Sequence, residues 1–135
     1  MIPADGFFEW LKLGRSKQPH YLQLKDEAPF AFAGIWDQWK NGGLLIRSCA
    51  IITTTANELV KPLHNRMPAI LHPESYEIWL DQNADLKTLE KLLVPFPASE
   101  MKSHPVSSAV NKVQNDNSDL TQRVDAEVGT NLSLF

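Results

Sequence analysis

Several features that often mark a binding site are scarce in this sequence of 135 residues. Its one cysteine, Cys49, excludes an internal disulfide and favours a reducing compartment. The four histidines match no zinc-ligand spacing, so no metal site is expected. Neither a P-loop nor a dinucleotide fingerprint is present, and Gly42-Gly43 is typical of a tight turn, so no cofactor is expected either.

Charge and hydropathy exclude further classes of protein. The formal net charge is −3, so contact with nucleic acid must come from a local basic patch and not from the charge of the whole chain. The first residues, MIPADGFFEWLKLG, lack the basic and apolar regions of a signal peptide, and no apolar run reaches the length of a membrane span. These observations predict a cytoplasmic protein without membrane contact, and the length predicts one domain.

The first half of the chain is rich in predicted strands. Residues 20–25 alternate apolar and polar side chains with the period of a half-buried strand, and the aromatic segment 6–13 is a second candidate. The turn signal Asn-Gly-Gly at 41–43 separates two further apolar runs. It predicts a hairpin between residues 30–39 and 44–55.

Helices are predicted only later in the chain. Pro73 lies near the first helical position of HPESYEIWLDQ, which places Tyr76, Trp79 and Leu80 on one side. Asp85 is expected to cap a second helix in ADLKTLEKLLV.

These elements predict an α+β fold, with a β-rich mixed sheet built from hairpins and a few short flanking helices. We expect the domain to cover residues 1–112. The polar composition of residues 113–135 predicts a mobile C-terminal tail.

Glu9 stands among aromatic residues in the segment DGFFEW. A carboxylate lined by aromatic side chains loses hydration, which raises its pKa and suits it to hold or pass a proton near neutral pH. The plainer alternative is an acid at a strand end that meets solvent or an arginine. The local sequence leaves both alternatives open.

His64 and Arg66 lie two residues apart in the segment LHNRMPAIL. In an extended chain their side chains project to the same face. The pair would combine a group that titrates near neutral pH with a fixed cation that can fork onto a phosphate. The alternative is a loop histidine beside an arginine that pairs with a nearby acid.

Two weaker candidates follow the long apolar run. Thr53 or Thr55 can present a hydroxyl to a ligand, although threonine is also an ordinary strand former. Cys49 has no His or Asp partner at a recognisable spacing, which predicts a buried and inert thiol.

Five segments resemble one family in order and spacing: IPADGFFEW, FAFAGIWD, CAIITTTAN, LHNRMPAILHPESYEIWL and HPVSSAVN. The family is SRAP, the SOS-response-associated peptidases, also known as abasic-site-processing proteins. The resemblance covers roughly residues 2–112. Its most specific parts are PADGFFEW and His-x-Arg-Met-Pro in the same chain.

The resemblance implies a function in the DNA damage response. Family members bind single-stranded DNA and bond to abasic sites through a cysteine that self-processing exposes behind the initiator methionine. The amine and thiol of that cysteine react with the sugar aldehyde, giving a Schiff base and then a thiazolidine. Such a protein would act in the bacterial cytoplasm and associate with the nucleoid when engaged on DNA.

Site roles follow from the same resemblance. Glu9 would orient the amine and shuttle its proton, and His64 would protonate the sugar oxygen, with both lining one cleft. Arg66 would hold a phosphate beside the lesion, Thr53 would hydrogen-bond near the adduct, and Trp10 would wall the pocket.

The sequence departs from the family at its start, where Met1 is followed by Ile2 and not by cysteine. We therefore expect an N-terminally truncated member whose enzymatic activity the sequence leaves open. The alternative is a catalytically inactive remnant with at most weak binding to single-stranded DNA. Missing strands would leave apolar side chains such as Phe30 and Phe32 uncovered and favour self-association through exposed sheet edges.

Overall fold

Short β-strands dominate the computed structural model, which describes residues 1–125. Within that part the strands are β1 (Ile2–Ala4), β2 (Phe7–Leu13), β3 (Ser16–Leu24), β4 (Phe30–Phe32), β5 (Gly34–Asn41), β6 (Leu44–Ile51), β7 (Thr53–Thr55), β8 (Arg66–Pro68), β9 (Ile70–Leu71) and β10 (Met101–Pro105). The α-helices are α1 (Tyr76–Leu80) and α2 (Leu86–Glu90), and 3₁₀ helices cover Pro73–Ser75, Ala98–Glu100, Ser108–Asn111 and Ser118–Thr121. The predicted β-rich α+β class is confirmed.

The described strands form four small sheets in place of one mixed sheet, and each pairing is antiparallel. Two sheets have three strands, in the orders β1-β4-β9 and β10-β3-β2, and the other two are the pairs β5-β6 and β7-β8. The β2–β3 hairpin turns at Gly14, whose φ of 60° favours glycine. Because Leu13 pairs with Ser16 across this turn, Glu9 pairs with His20.

The predicted hairpin around Gly42 and Gly43 is confirmed, but it is shorter than expected. Both glycines have positive φ, 53° and 87°, and β5 pairs with β6 along its whole length. Residues 30–32 and 53–55, which were expected to extend the hairpin, form strands of other sheets. β4 pairs with β1 and β9, and β7 pairs with β8.

The hairpin ends at a buried junction of three backbone segments. Ala33 N–H donates to the Ala69 carbonyl at 2.8 Å, Ile52 N–H donates to the Ala33 carbonyl at 2.9 Å, and Ala69 N–H donates to the Ile52 carbonyl at 2.9 Å. Ala33 and Ala69 have no exposed surface, so there is no room for larger side chains. This junction joins segments that are distant in sequence, which is why the local pattern did not predict it.

The main core is formed largely by side chains of β3, β4, β8, β9 and β10. Phe30 and Phe32 belong to it, with an exposed fraction of 4% each, because they pack among buried side chains that include Leu22, Met67 and Phe96. The expectation that these two rings would be uncovered is therefore wrong. The exposed apolar side chains lie instead on β5 and β6: Ile35, Trp36, Trp39, Leu44, Leu45, Ile46 and Ile51.

Both helices are short, and their packing follows the prediction in part. Tyr76 and Trp79 pack against a second, smaller buried cluster that includes Leu71. Leu80, expected on the same side, is 59% exposed because α1 ends there. Asp85 caps α2 as predicted and accepts a hydrogen bond from the N–H of the third helical residue. No helix in the part of the chain that the structure describes is long and apolar enough to cross a membrane.

Residues 113–125 include a 3₁₀ helix and contact β10. Val106 forms an isolated antiparallel bridge with Arg123, and Nε2 of His104 lies 2.8 Å from the Thr121 carbonyl. Residues 126–135, the rest of the predicted mobile tail, lie outside the described residues.

Asn57 ties the loop before β8 to the main core. Its Nδ2 donates to the Phe96 carbonyl at 2.7 Å, and its Oδ1 accepts from the N–H groups of Leu59 and Val60 at 3.1 and 3.0 Å. The Val60 carbonyl in turn accepts from the His64 N–H at 3.0 Å. The position of His64 therefore depends on a buried amide.

We expect Asn57→Ala to lower the free energy of unfolding by roughly 2–4 kcal/mol, because three sheltered backbone groups lose their partner at about 1 kcal/mol or more each. The exposed Asn83→Ala serves as the control, with an expected change within about 0.5 kcal/mol. Urea denaturation followed by circular dichroism measures both values. A loss for Asn57→Ala no larger than that of the control would contradict this account.

Candidate functional site

Arg66 is held in place by Thr53. Its Nε donates to Thr53 Oγ1 at 3.1 Å, and its Nη2 donates to the same oxygen at 2.8 Å and to the Thr53 carbonyl at 2.6 Å. The β7–β8 register makes the two residues diagonal neighbours on one face, since Thr55 pairs with Arg66 and Thr53 with Pro68. Nη1 bonds to no described residue, so the fixed guanidinium still presents two N–H groups.

His64 lies in the loop just before β8, and its ring contacts the backbone of Arg66. Its Nδ1 lies 3.1 Å from both the Arg66 N–H nitrogen and the Arg66 carbonyl oxygen. The neutral tautomer with its proton on Nε2 accepts at Nδ1 from the N–H, whereas the neutral tautomer with its proton on Nδ1 and the protonated ring both donate from Nδ1 to the carbonyl. Nδ1 therefore has a partner in every protonation state, and Nε2 of this exposed side chain bonds to no described residue.

Glu9 is half-buried on β2, in a different sheet from Arg66. Its carboxylate makes no hydrogen bond or ion pair with any residue from 1 to 125. It shares a face of β2 with Phe7, because alternate residues of a strand point the same way. Phe7 packs against the main core, and so does Leu63, the residue before His64. Glu9 and His64 are thus each close in sequence to a residue that packs against this core, and they form no hydrogen bond or ion pair with each other.

His20 is a neighbour of Glu9 that the sequence prediction missed. The two pair directly across β2 and β3, which places their side chains on the same face. Nδ1 of His20 lies 3.2 Å from Ser103 Oγ. Burial lowers the pKa of His20 below its usual value, and the nearby His104 lowers it further. The pairing of Glu9 with His20 follows from the position of the turn at Gly14, so the sequence alone could have indicated it.

Trp10 lies on the opposite face of β2 from Glu9. Its Nε1 donates to Asn111 Oδ1 at 2.8 Å, which fixes the half-buried indole against the 3₁₀ helix at Ser108–Asn111. No local pattern indicates this contact, because the partners are 101 positions apart. Trp10 is therefore anchored, but it does not face the same way as the carboxylate beside it.

Cys49 is exposed, which contradicts the predicted buried thiol. It pairs with Trp36 on the β5–β6 hairpin, where all residues of β6 are exposed. Strand character in the sequence was correctly recognised there, but no other described element covers the hairpin. Elsewhere in residues 1–125, no three His, Cys, Asp or Glu side chains gather in a way that could hold a metal ion.

The structure is an antiparallel, β-rich α+β domain with an anchored guanidinium at Arg66, an exposed imidazole at His64 and a half-buried carboxylate at Glu9. A family model for SOS response associated peptidase (SRAP) matches residues 1–113. The chain belongs to the SRAP family.

Relatives with known names and structures agree with this assignment. The chain is 41% identical over 130 residues to abasic site processing protein YoaM of Bacillus subtilis, covering 94% of this chain and 56% of that protein. It is 33% identical over 123 residues to abasic site processing protein YedK of Escherichia coli, covering 90% and 55%. A crystal structure of a protein from Bacteroides thetaiotaomicron superposes with a TM-score of 0.82 at 36% identity, covering 90% of this chain and 55% of that one. The chain thus spans little more than half the length of these relatives.

The lowered pKa of His20 predicts how stability depends on pH. The unfolded chain binds a proton near the ordinary value of 6.5, and the folded chain binds it only at lower pH, so stability falls as pH drops through and below 6.5. We expect His20→Gln to make the Tm less dependent on pH between about pH 7 and 5. Ser103→Ala, which keeps the titrating ring, should retain the slope. A His20→Gln slope equal to that of the wild type would contradict the prediction.

Proposed function

We propose that this chain contributes the acid–base and phosphate-binding part of an abasic-site-processing activity on single-stranded DNA. One observation carries the proposal most directly: Thr53 fixes the Arg66 guanidinium beside His64, within the His-x-Arg-Met-Pro motif of an SRAP chain. The names of the relatives support the substrate, since YoaM and YedK are called abasic site processing proteins. The proposed place of action is the bacterial cytoplasm, at the nucleoid when the protein is bound to DNA.

Arg66 would bind a phosphate that flanks the lesion. A guanidinium fixed by three hydrogen bonds loses little further freedom when it binds an anion. Its two Nη1 hydrogens are the donors that remain for the phosphate. Thr53 would act by holding this cation and by offering its exposed hydroxyl near the adduct.

His64 and Glu9 would carry the proton transfers. When Nδ1 keeps its proton and donates to the Arg66 carbonyl, Nε2 can give up or take a proton without the ring turning, which suits His64 to protonate the sugar oxygen. The Glu9 carboxylate has no described partner and is half-buried, so it is available to orient an attacking amine and to carry its proton.

Trp10 lies on the far face of β2 from Glu9, so it would contact DNA there and would not line the acid–base site. Its hydrogen bond to Asn111 holds the indole in one place.

A second candidate is a catalytically inactive, weakly DNA-binding domain. Thiazolidine formation needs an α-amine and a β-thiol on one residue. The one thiol of residues 1–135, at Cys49, lies within β6, where the nitrogen of the same residue is a peptide amide and not an amine. This observation favours binding without covalent capture for the polypeptide of residues 1–135.

Binding and cross-linking can be measured on the same oligonucleotides. We expect Arg66→Ala to weaken binding to single-stranded DNA by about 5–10-fold at about 50 mM salt, and to lower the salt slope by about 0.7, because one phosphate contact is lost. As a control, Lys91→Ala removes an exposed cation at the C-terminal end of α2 and should leave the affinity for single-stranded DNA unchanged. Fluorescence anisotropy measures both. Equal affinities for wild type and Arg66→Ala would overturn the phosphate-binding role.

A cross-linking experiment distinguishes covalent capture of abasic sites from DNA binding alone. With an abasic oligonucleotide, residues 1–135 alone should give no stable band on a denaturing gel, because an adduct with an ordinary amine hydrolyses without ring closure. When an N-terminal segment of a family member, beginning with cysteine, is fused ahead of Met1, we expect the stable band to appear. Glu9→Gln should then slow its formation by about 100-fold. A stable band from residues 1–135 alone would show that the thiazolidine route is wrong for this chain.

The β5–β6 hairpin supports a further part of the proposal, self-association. Ile35, Trp39, Leu44 and Ile46 share one face of it and are between 42% and 61% exposed. An isolated two-stranded hairpin is marginally stable in water, so this face gains from being covered. At its base, a cleft of about 580 Å³ continues the apolar surface towards Trp79 on α1.

We expect residues 1–135 to form dimers or larger oligomers in sedimentation equilibrium. Ile35→Lys combined with Leu44→Lys should shift the protein to monomers, because two charges would have to be buried at the contact. Asn83→Lys combined with Ser99→Lys adds the same charge at exposed polar positions and should leave the oligomers intact. A wild type that stays monomeric at its highest soluble concentration would contradict this proposal.

A further inference from the structure

The β2–β3 hairpin concentrates positive charge in a chain that is negative overall. Between Trp10 and Lys25 there are four cations, Lys12, Arg15, Lys17 and Lys25, and no acid, whereas the whole chain has 13 basic and 16 acidic residues. The first three of these cations lie at the tip of the hairpin and are exposed. Local charge of this kind attracts polyanions even when the net charge does not.

The register places two of these cations face to face. Lys12 pairs directly with Lys17 across β2 and β3. Like charges at directly opposed positions destabilise an antiparallel pair. The ion pairs found among residues 1–125, Lys61–Glu58 and Lys102–Glu27, do not involve the tip cations. Neither Lys12 nor Lys17 is therefore neutralised within the described chain.

An aromatic ring lies on the same face as the two lysines. Trp10 is two residues from Lys12 on β2, and its hydrogen bond to Asn111 holds the indole in place. Lys112, which follows Asn111, is exposed and has no described ion-pair partner. One acid borders this surface: Asp125 lines a shallow cavity of about 240 Å³ beside Lys17 without forming an ion pair.

We propose that this surface, formed by Trp10, Lys12, Arg15 and Lys17 and here called the tip patch, binds the phosphate backbone of the DNA strand outside the lesion. The inference rests on the proposed function for the identity of the strand. The ligand chemistry is that of a single-stranded polyanion: closely spaced cations contact phosphates, and a fixed indole gives a base a surface for stacking. The tip patch lies on the face of β2 opposite Glu9, so it is a second contact and not part of the acid–base site.

The test measures binding of the whole chain to undamaged single-stranded DNA by fluorescence anisotropy across a salt series. We expect Lys12→Gln combined with Lys17→Gln to lower the salt slope by about 1.4 and affinity at about 50 mM salt by about 30-fold or more. The effect should be seen with an oligonucleotide of about 20 nucleotides and should shrink with one of about 5, which is too short to occupy both contacts. Lys87→Gln combined with Lys91→Gln removes the same charge around α2 and should change neither quantity.

A single substitution separates binding from folding. Lys12→Glu replaces the repulsive pair by an attractive one, so it should raise the Tm by about 1–4 °C while weakening DNA binding. A variant that is more stable and binds less cannot owe its loss to unfolding.

The outcomes distinguish the two proposals. If Arg66→Ala weakens binding and the tip-patch variant does not, the tip patch is overturned and the proposed function stands. Equal losses in the tip-patch and α2 variants would also overturn it, as would a wild type that prefers phosphatidylserine vesicles to DNA. A wild type with no affinity for DNA at any salt concentration would overturn the proposed function and this inference together.

Discussion

The closed ring of backbone hydrogen bonds between Ala33, Ile52 and Ala69 is the constraint on which the rest of the structure depends. At this junction β4 gives way to β5, β6 to β7, and β8 to β9. Thr53 follows Ile52 directly, and Pro68 precedes Ala69, so the junction also sets the register of β7 against β8. The clamp of Thr53 on Arg66 is therefore a consequence of backbone pairing at buried alanines.

Much of the fold could be predicted because its contacts are local. The β2–β3 and β5–β6 hairpins turn at glycines that the sequence shows plainly, and Asp85 caps its helix through a residue three positions on. The exchange of partners at Ala33 could not be predicted in this way, since nothing within residues 30–55 distinguishes a continuous hairpin from one that changes sheets. The same applies to Phe30, which packs in a core that includes Met67 and Phe96 from far along the chain.

The candidate site was predicted through the family resemblance more than through local chemistry. The spacing of His64 and Arg66 predicts that their side chains share a face, whereas the observed contact joins the His64 ring to the Arg66 backbone. Thr53 was chosen over Thr55 through the resemblance alone, and no pattern indicates that it holds the guanidinium. His20 was overlooked although the turn at Gly14 fixes it opposite Glu9. Cys49 was expected to be buried because strand patterns say which residues alternate, not whether another layer covers them.

The attachment of the β5–β6 hairpin has a consequence for cooperativity. Each residue from Ile35 to Ile51 is exposed, and the hairpin joins the remainder of the fold at its base, next to the buried junction. Segments with few buried contacts open at a lower free energy than the core they extend from. The hairpin is thus suited to behave as a separate cooperative unit, which can open and close while the ring at Ala33 keeps the main core, and with it Arg66 and His64, in the native arrangement.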